Sequence, residues 1–441
     1  MSAPGDVAGG AAPAGGSPLA LLRQHTFRTF FLGSSLSSIG TWFQNIAAGL
    51  LIYELTRSTL LVGAVNFSQF IGSFVLASVA GGAADRYDRR KLLIVSQLGA
   101  ALVGALLAVI TLLGAVTPVI VVVAALLLGL SLAFMVPALQ ALVPLLVDDE
   151  HLDAAVALNS VSFNLARAVG PVLGAMVVGS AGYGVAFALN AASFLAFVVA
   201  LAVVRPRPQR IRSGARPKLR ESVRLLRAEP AWWAVLMATM VISMSTDPIN
   251  TLTPELALDV HGGAEVDAGF LVGAFGGGAT VTALTMTGWI RRRRRALPAA
   301  MLVQGSGMLL VGAAPTLPAA MLVQGSGMLL VGAAPTLTVA FVGMAISGAG
   351  FIGGTTRATA RLQSEVPDLQ RGRVMALWSM AFVGTRPLAS LVSGVIAEVA
   401  GARVAALVLA LPVLLLAPWV AGQLERSAAG AGREPPAPRT P

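Results

Sequence analysis

Between Phe30 and Val420 the chain keeps returning to apolar runs of about 20 residues, the length a helix needs to cross a bilayer. Nothing else in the sequence limits the fold as sharply. In lipid every backbone N–H and C=O must find a partner inside the structure, so only helices or a closed barrel can cross. The short alternating strands of a barrel are absent from the pattern, and the class expected is an all-α membrane protein. The runs fall at about 30–53, 59–82, 92–114, 118–140, 155–179, 183–204, 231–255, 267–290, 297–316, 338–358, 374–398 and 403–421, which makes twelve transmembrane helices. Charged residues make up only 12% of the chain, against about a quarter in a soluble domain, so little interrupts the runs.

Cations sort themselves by loop. Arg23 and Arg28, the Arg86 to Lys91 turn, nine basic residues from Arg205 to Arg227, the run Arg291 to Arg295, the group Arg357 to Arg373 and the C-terminal arginines together hold 27 of the 31 basic residues, all on alternate connections. The positive-inside rule makes that side cytoplasmic, places both termini there, and predicts a multi-pass protein of a bacterial inner membrane. The net charge of +11 therefore reports topology and gives no reason to expect a nucleic-acid partner.

With no cysteine, and with His25, His151 and His261 far apart, no metal site or cofactor is expected. Lys91 and Lys218 are the only lysines and neither follows a phosphate-binding glycine loop, and no hydrolytic signature occurs, so the chain does not read as an enzyme. Residues 1–26 and 422–441 read as disordered tails, and no basic start with an apolar run marks a cleaved signal.

The Pro- and Arg-rich stretch 205–230 reads as a cytoplasmic linker between an N-terminal half, 27–204, and a C-terminal half, 231–421. Internal repetition agrees. ALNSVSFNLAR (Ala157 to Arg167) matches ALWSMAFVGTR (Ala376 to Arg386) at an offset of 219, which also pairs Gly129 with Gly348 and Gly182 with Gly401. LLVGAV (Leu60 to Val65) echoes FLVGAF (Phe270 to Phe275). Two parallel six-helix repeats around a large loop describe a transporter whose halves rock about a site near the midplane.

GGAADRYDRRK, with Gly81, Asp85, Arg86, Arg89 and Arg90, resembles the loop signature of the major facilitator superfamily, with Asp88 where the signature has its second glycine. YELTRS, PALQALVP, NSVSFNLARAVGP and RGRVMAL resemble the branch that includes enterobactin and macrolide exporters. The resemblance implies secondary transport of a small molecule by a lipid-embedded protein, with protons as coupling ion and a monomer as the working unit. It also implies that Gly81, Asp85, Arg86, Arg89 and Arg90 form a conformational latch. A carboxylate at a helix C-terminus is disfavoured by the macrodipole, so Asp85 calls for a cation in any case; a static basic turn is the plainer alternative.

Arg167 lies roughly 18 Å into its run and Arg386 holds the repeat-related place, each costing about 3 kcal/mol unless it faces the interior. Ser160, Asn164 and Arg167 share one helix face. Gly170, Pro171 and Gly174 read as a close-packing motif. These arginines could hold an anionic substrate, respond to a carboxylate, or tie helices together. Asp247, in MSTDPINTLTPE, is the candidate proton carrier, because a carboxylate in apolar surroundings holds its proton more readily; capping the helix beyond the Pro248 break is the alternative. Asn45, Asn66 and Gln69 are candidate substrate contacts, with hydrogen bonds between helices as the commoner use of such residues. Glu54 and Glu255 read as solvated.

Residues 297–316 and 317–336 are identical. If both crossed, every later loop would change sides and the charge pattern would fail. Lys91 to Gly129 is 38 residues and Arg295 to Gly348 is 53, which falls to 33 when twenty are removed. One copy is therefore expected not to add a crossing, with 297–316 as the ninth helix and the extra copy held on the outer side. The whole describes a proton-driven exporter of a small amphipathic organic compound; an uptake symporter of the same fold and a non-transporting sensor are the alternatives.

Overall fold

The computed structural model describes residues 21–208, 224, 229–246, 248–286 and 316–431. The described residues form helices α1 (His25–Thr56), α2 (Thr59–Arg86), α3 (Arg89–Leu112), α4 (Pro118–Leu142), α5 (Leu152–Val203), α6 (Pro230–Thr246), α7 (Pro248–Glu255), α8 (Glu265–Met286), α9 (Leu317–Ala333), α10 (Leu337–Glu365), α11 (Asp368–Gly384), α12 (Arg386–Ala400) and α13 (Ala402–Ala431). Local chemistry sets the starts. Ser58, Asp88, Thr117, Thr316 and Thr336 each accept a hydrogen bond from an amide of the first turn that follows, which satisfies one of the donors that a helix leaves open. Asp88, the departure from the loop signature, thus serves as the cap of α3, accepting from the Lys91 amide at 3.0 Å.

Eight helices among the described residues are long and apolar enough to cross a membrane, and α9, with 17 residues, is a shorter apolar one. α5 spans 52 residues but is broken at Gly182, where φ is 83° and ψ 170°. Gly401, its partner in the repeat, separates α12 from α13 with φ 86° and ψ 157°. Only glycine takes this backbone without strain, so the two matched positions reverse the chain in the same way. Leu102, Val123, Leu195 and Leu415 turn outward, as side chains facing lipid do. The largest buried cluster runs through both halves, from Leu50 and Tyr53 to Leu252, Leu271, Phe351 and Val413.

Helix direction follows from which residues meet. Gly327 and Gly343 approach one another, as do Gly350 and Gln324, so α9 runs opposite to α10. Arg403, at the start of α13, donates to Ala334 O at 3.0 Å and marks the end of α9 as lying away from the arginine-rich turns. α8 begins at that same far end and finishes at the basic end, where α9 begins. The connection from Met286 to Thr316 therefore leaves and returns on one side, which an unpaired extra crossing would forbid.

One expectation about the repeat is corrected: the second copy is not an extra segment held on the outer side but forms the packed helix α9, with Thr316 as its cap and a short turn joining it to α10. The expectation that 297–316 makes the ninth helix falls on residues 297–315, which lie outside the described residues. The tails also differ from expectation. Leu21 is fully buried and α1 starts at His25, while α13 continues to Ala431 through GQLERSAAGA, which has two glycines but no proline. Arg207, at the head of the linker, is bonded to Val147 O at 3.0 Å and to Asp148, so the linker begins docked on the N-terminal half.

Candidate functional site

The halves meet along α2 with α12 and α5 with α8. A methyl group on Gly63 would lie 2.5 Å from Ser390 O, and one on Gly276 would lie 2.5 Å from the Ala168 backbone. Backbones this close leave no room for side chains, so the seams are narrow, and the larger groups gather beside them at mid-depth.

Arg167 and Arg386 stand there, each fifteen residues before its positive-φ glycine. Arg167 is 6% exposed, and its guanidinium lies 4.7 Å from the Phe275 ring, 4.7 Å from Phe351 and 5.3 Å from Trp42. Phe275 and Phe351 belong to the other half. Arg386 is 9% exposed and lies 5.3 Å from Phe70, across the interface, and 5.4 Å from Phe382. A desolvated cation over a ring gains about 2 kcal/mol, so two or three rings offset an insertion cost on the order of 3 kcal/mol. The rings also touch each other: Phe275 with Phe351 at 5.7 Å, Phe351 with Phe382 at 6.0 Å, and Phe382 stacked on Trp378 at 5.2 Å. The result is a belt of arginines and aromatic rings crossing from one half to the other.

Gly170 and Gly174, one and two turns past Arg167, lie against α1. A methyl on Gly170 would meet Trp42 Cβ at 2.7 Å, and one on Gly174 would meet Phe43 O at 2.6 Å. They let α5 lie against α1, which brings Trp42 over Arg167; Pro171 continues the helix. Asn164 bonds back to Ser160 O at 2.9 Å, within its own helix. Gln69 donates to Asn45 at 2.7 Å, and Asn66 donates to Thr251 at 3.2 Å across the interface. All four amides, Asn164, Gln69, Asn45 and Asn66, are thus engaged in protein hydrogen bonds.

The latch residues divide. Arg89 donates to Ala141 O at 2.9 Å, and Arg90 donates to Leu201 O at 2.6 Å and to Ala202 O, so both bind carbonyls at the C-terminal ends of α4 and α5. This is a favourable place for a cation. Arg86 is exposed, and nothing stands within 4 Å of a methyl placed on Gly81. The Asp85 side chain and the whole of Asp247 lie outside the described residues.

Glu255 corrects a further expectation. It accepts from the Ala402 amide at 2.8 Å and from Thr59 Oγ1, so it joins three helices instead of standing in solvent. The aromatic members of the belt were not found in the sequence. The available signal was that Phe163 and Phe382 hold matching places four residues before the two arginines.

A family model described as a transmembrane secretion effector matches residues 16–429. Macrolide efflux protein A of Streptococcus pyogenes is 22% identical over 296 residues, covering 66% of this chain and 73% of that protein. An enterobactin exporter of Citrobacter koseri is 29% identical over 276 residues, covering 60% of this chain and 64% of that protein, a little under two thirds of its length. Among solved structures, a bacterial homolog of the human lysosomal transporter Spinster, inward-facing and unoccupied, matches with a TM-score of 0.70 at 13% identity over 94% of this chain and 99% of that one. A bacterial homologue of the iron transporter ferroportin, inward-facing, matches with a TM-score of 0.69 at 15% identity over 91% and 99%. At such identities the likeness is one of fold.

Proposed function

We propose that this chain, which belongs to the transmembrane secretion effector family of the major facilitator superfamily, is a proton-driven exporter of a small amphipathic organic compound. Membership makes it a multi-pass membrane transporter and not an enzyme; direction, coupling and substrate are our reading. The observation that carries it is the belt at mid-depth, where Arg167 and Arg386 occupy matched places and each rests on rings of the opposite half. A site built from both halves changes shape whenever they move, as alternating access requires. Cations beside aromatic faces suit a compound with an anionic or polar part and a flat apolar part. Relatives named for macrolide efflux and enterobactin export support the outward direction.

In this reading twelve helices cross in two parallel sets of six, with both termini in the cytoplasm by the distribution of arginines. Substrate enters from the basic end, the halves pivot along the α2–α12 and α5–α8 seams, and the outer end opens. Asp247 carries the proton that resets the cycle, and Arg167 and Arg386 sense substrate and charge. Asn45, Asn66, Gln69 and Asn164 shape the cavity wall, and the Asp85 turn closes the cytoplasmic side.

Transport into inverted membrane vesicles under an acid-inside gradient tests this reading, using a panel of labelled macrolides and enterobactin. Gradient-dependent accumulation is expected, with Asp247→Asn abolishing the dependence on the gradient. Accumulation only in right-side-out vesicles would make the protein an importer, and full coupling in D247N and R167A would remove those residues from the mechanism.

A further inference from the structure

The end of the molecule away from the arginine-rich turns is closed by one short turn facing three acids. α1 ends at Thr56 and α2 begins at Thr59, with Arg57 held in a left-handed conformation at φ 53° and its amide bonded to Tyr53 O at 2.7 Å. A non-glycine residue in this region is strained, and the strain has a visible product: the turn offers a row of donors to the other half.

Asp259 accepts from Tyr53 Oη at 2.5 Å and from Arg57 Nη1 at 3.1 Å. Glu398 accepts from Ser58 Oγ at 2.9 Å and from the Leu60 amide at 3.2 Å, an open donor at the start of α2. Glu255 accepts from Thr59 Oγ1 and, through its other oxygen, from the first amide of α13. Every acceptor lies on the C-terminal half, and apart from the Ala402 amide every donor lies on the N-terminal half.

The surrounding charge is mixed. α1 adds Glu54 and α5 adds Tyr183, which bonds to it. The turn after α7 adds His261, α8 adds Glu265 and Asp267, and α13 adds Arg403; the start of α2 brings no titratable group. Acidification removes the negative charge that Arg57 and the two helix N-termini attract, and a charged acceptor binds about twice as strongly as a neutral one.

We propose that Glu255, Asp259 and Glu398 are the outer gate's lock: ionised, they grip the turn and keep the outer side shut, and neutralising them lets the halves part outward. This rests on the reading that the halves pivot, and adds the residues that set which side is closed.

The chain has no cysteine, so spin labels can be placed cleanly at Leu55→Cys and Val399→Cys outside the lock, with Val156→Cys and Ser364→Cys reporting the basic end. The full chain in lipid nanodiscs is measured from about pH 3 to pH 8, a range that spans the ordinary carboxylate values. The outer pair is expected to be close at the upper limit and to separate in acid, while the inner pair moves the opposite way. Asp259→Asn and Glu398→Gln, singly and with Glu255→Gln, are expected to raise the outward-open ratio at neutral pH by roughly tenfold or more, as loss of one charged hydrogen bond implies. Exposed D259N and E398Q keep the test informative should E255Q fold poorly.

An unchanged outer distance in D259N/E398Q, or an acid response that survives in the triple variant, would overturn the lock. Because distances are read without any substrate, a lock that responds in a protein exporting nothing would count against the proposed function alone. Normal export with an unresponsive lock would count against this inference alone.

Discussion

Arg167 and Arg386 hold matched places in the two halves, yet the chain around them differs. Arg167 sits in an unbroken stretch of α5, fixed against α1 by Gly170 and Gly174, with three rings around its guanidinium. Arg386 stands where α11 passes into α12. Thr385 between them keeps helical angles, φ −83° and ψ −19°, Pro387 follows, and rings of Phe70 and Phe382 flank the charge. Within the proposed transport cycle, this difference would make Arg167 part of a rigid wall and Arg386 part of a joint.

The largest expected effect tests that assignment directly. Arg167→Ala removes contacts to three rings, each about 2 kcal/mol when desolvated, and should lower both thermal stability and transport by tenfold or more. Arg386→Ala should spare stability more than transport. Thermal unfolding of both variants in detergent, beside vesicle uptake, checks the contrast, and a larger stability loss in R386A would reverse the roles.

Next comes the packing of the frame. Gly174→Ala forces a methyl to within 2.6 Å of Phe43 O, and overpacking of this kind costs about 1–3 kcal/mol. Gly81→Ala, which meets nothing, should leave the unfolding midpoint unchanged. Equal shifts in the two variants would show that the α1–α5 seam is not tight.

A smaller effect concerns the joint. Pro387→Ala permits a continuous α11–α12 helix, and turnover should fall with little change in apparent affinity. Measured rates that match wild type would mean that the break is not used. Smallest is Thr316→Ala, which should cost about 1 kcal/mol or less by removing the cap of α9, a loss that calorimetry in nanodiscs can read.

The sequence made some of this legible and hid the rest for physical reasons. Arginines inside apolar runs stand out because so few charges occur there. Phe275 and Phe351 did not, since a ring among leucines and valines offers no contrast until a cation is placed above it. Glu255 was misread because its partners, Thr59 and Ala402, come from distant parts of the chain. Hydrophobicity could not choose between two identical copies.

The 27 cations on alternate connections leave four over, Arg57, Arg167, Arg386 and Arg403. Two lie in the belt and two at the end away from the arginine-rich turns, where Arg57 holds Asp259 and Arg403 holds the Ala334 carbonyl just past α9. The exceptions to the charge pattern thus fall where the two proposals place their sites.

Each copy of the repeated twenty residues closes with the threonine that starts its successor: Thr316 accepts from the Ala319 amide and Thr336 from that of Val339. The unit is therefore self-propagating at the level of folding instructions. An added unit would bring its own capping threonine with it, so the last copy would still meet α10 and α13 through the same glycine faces, Gly327 against Gly343 and Gly332 against Leu407.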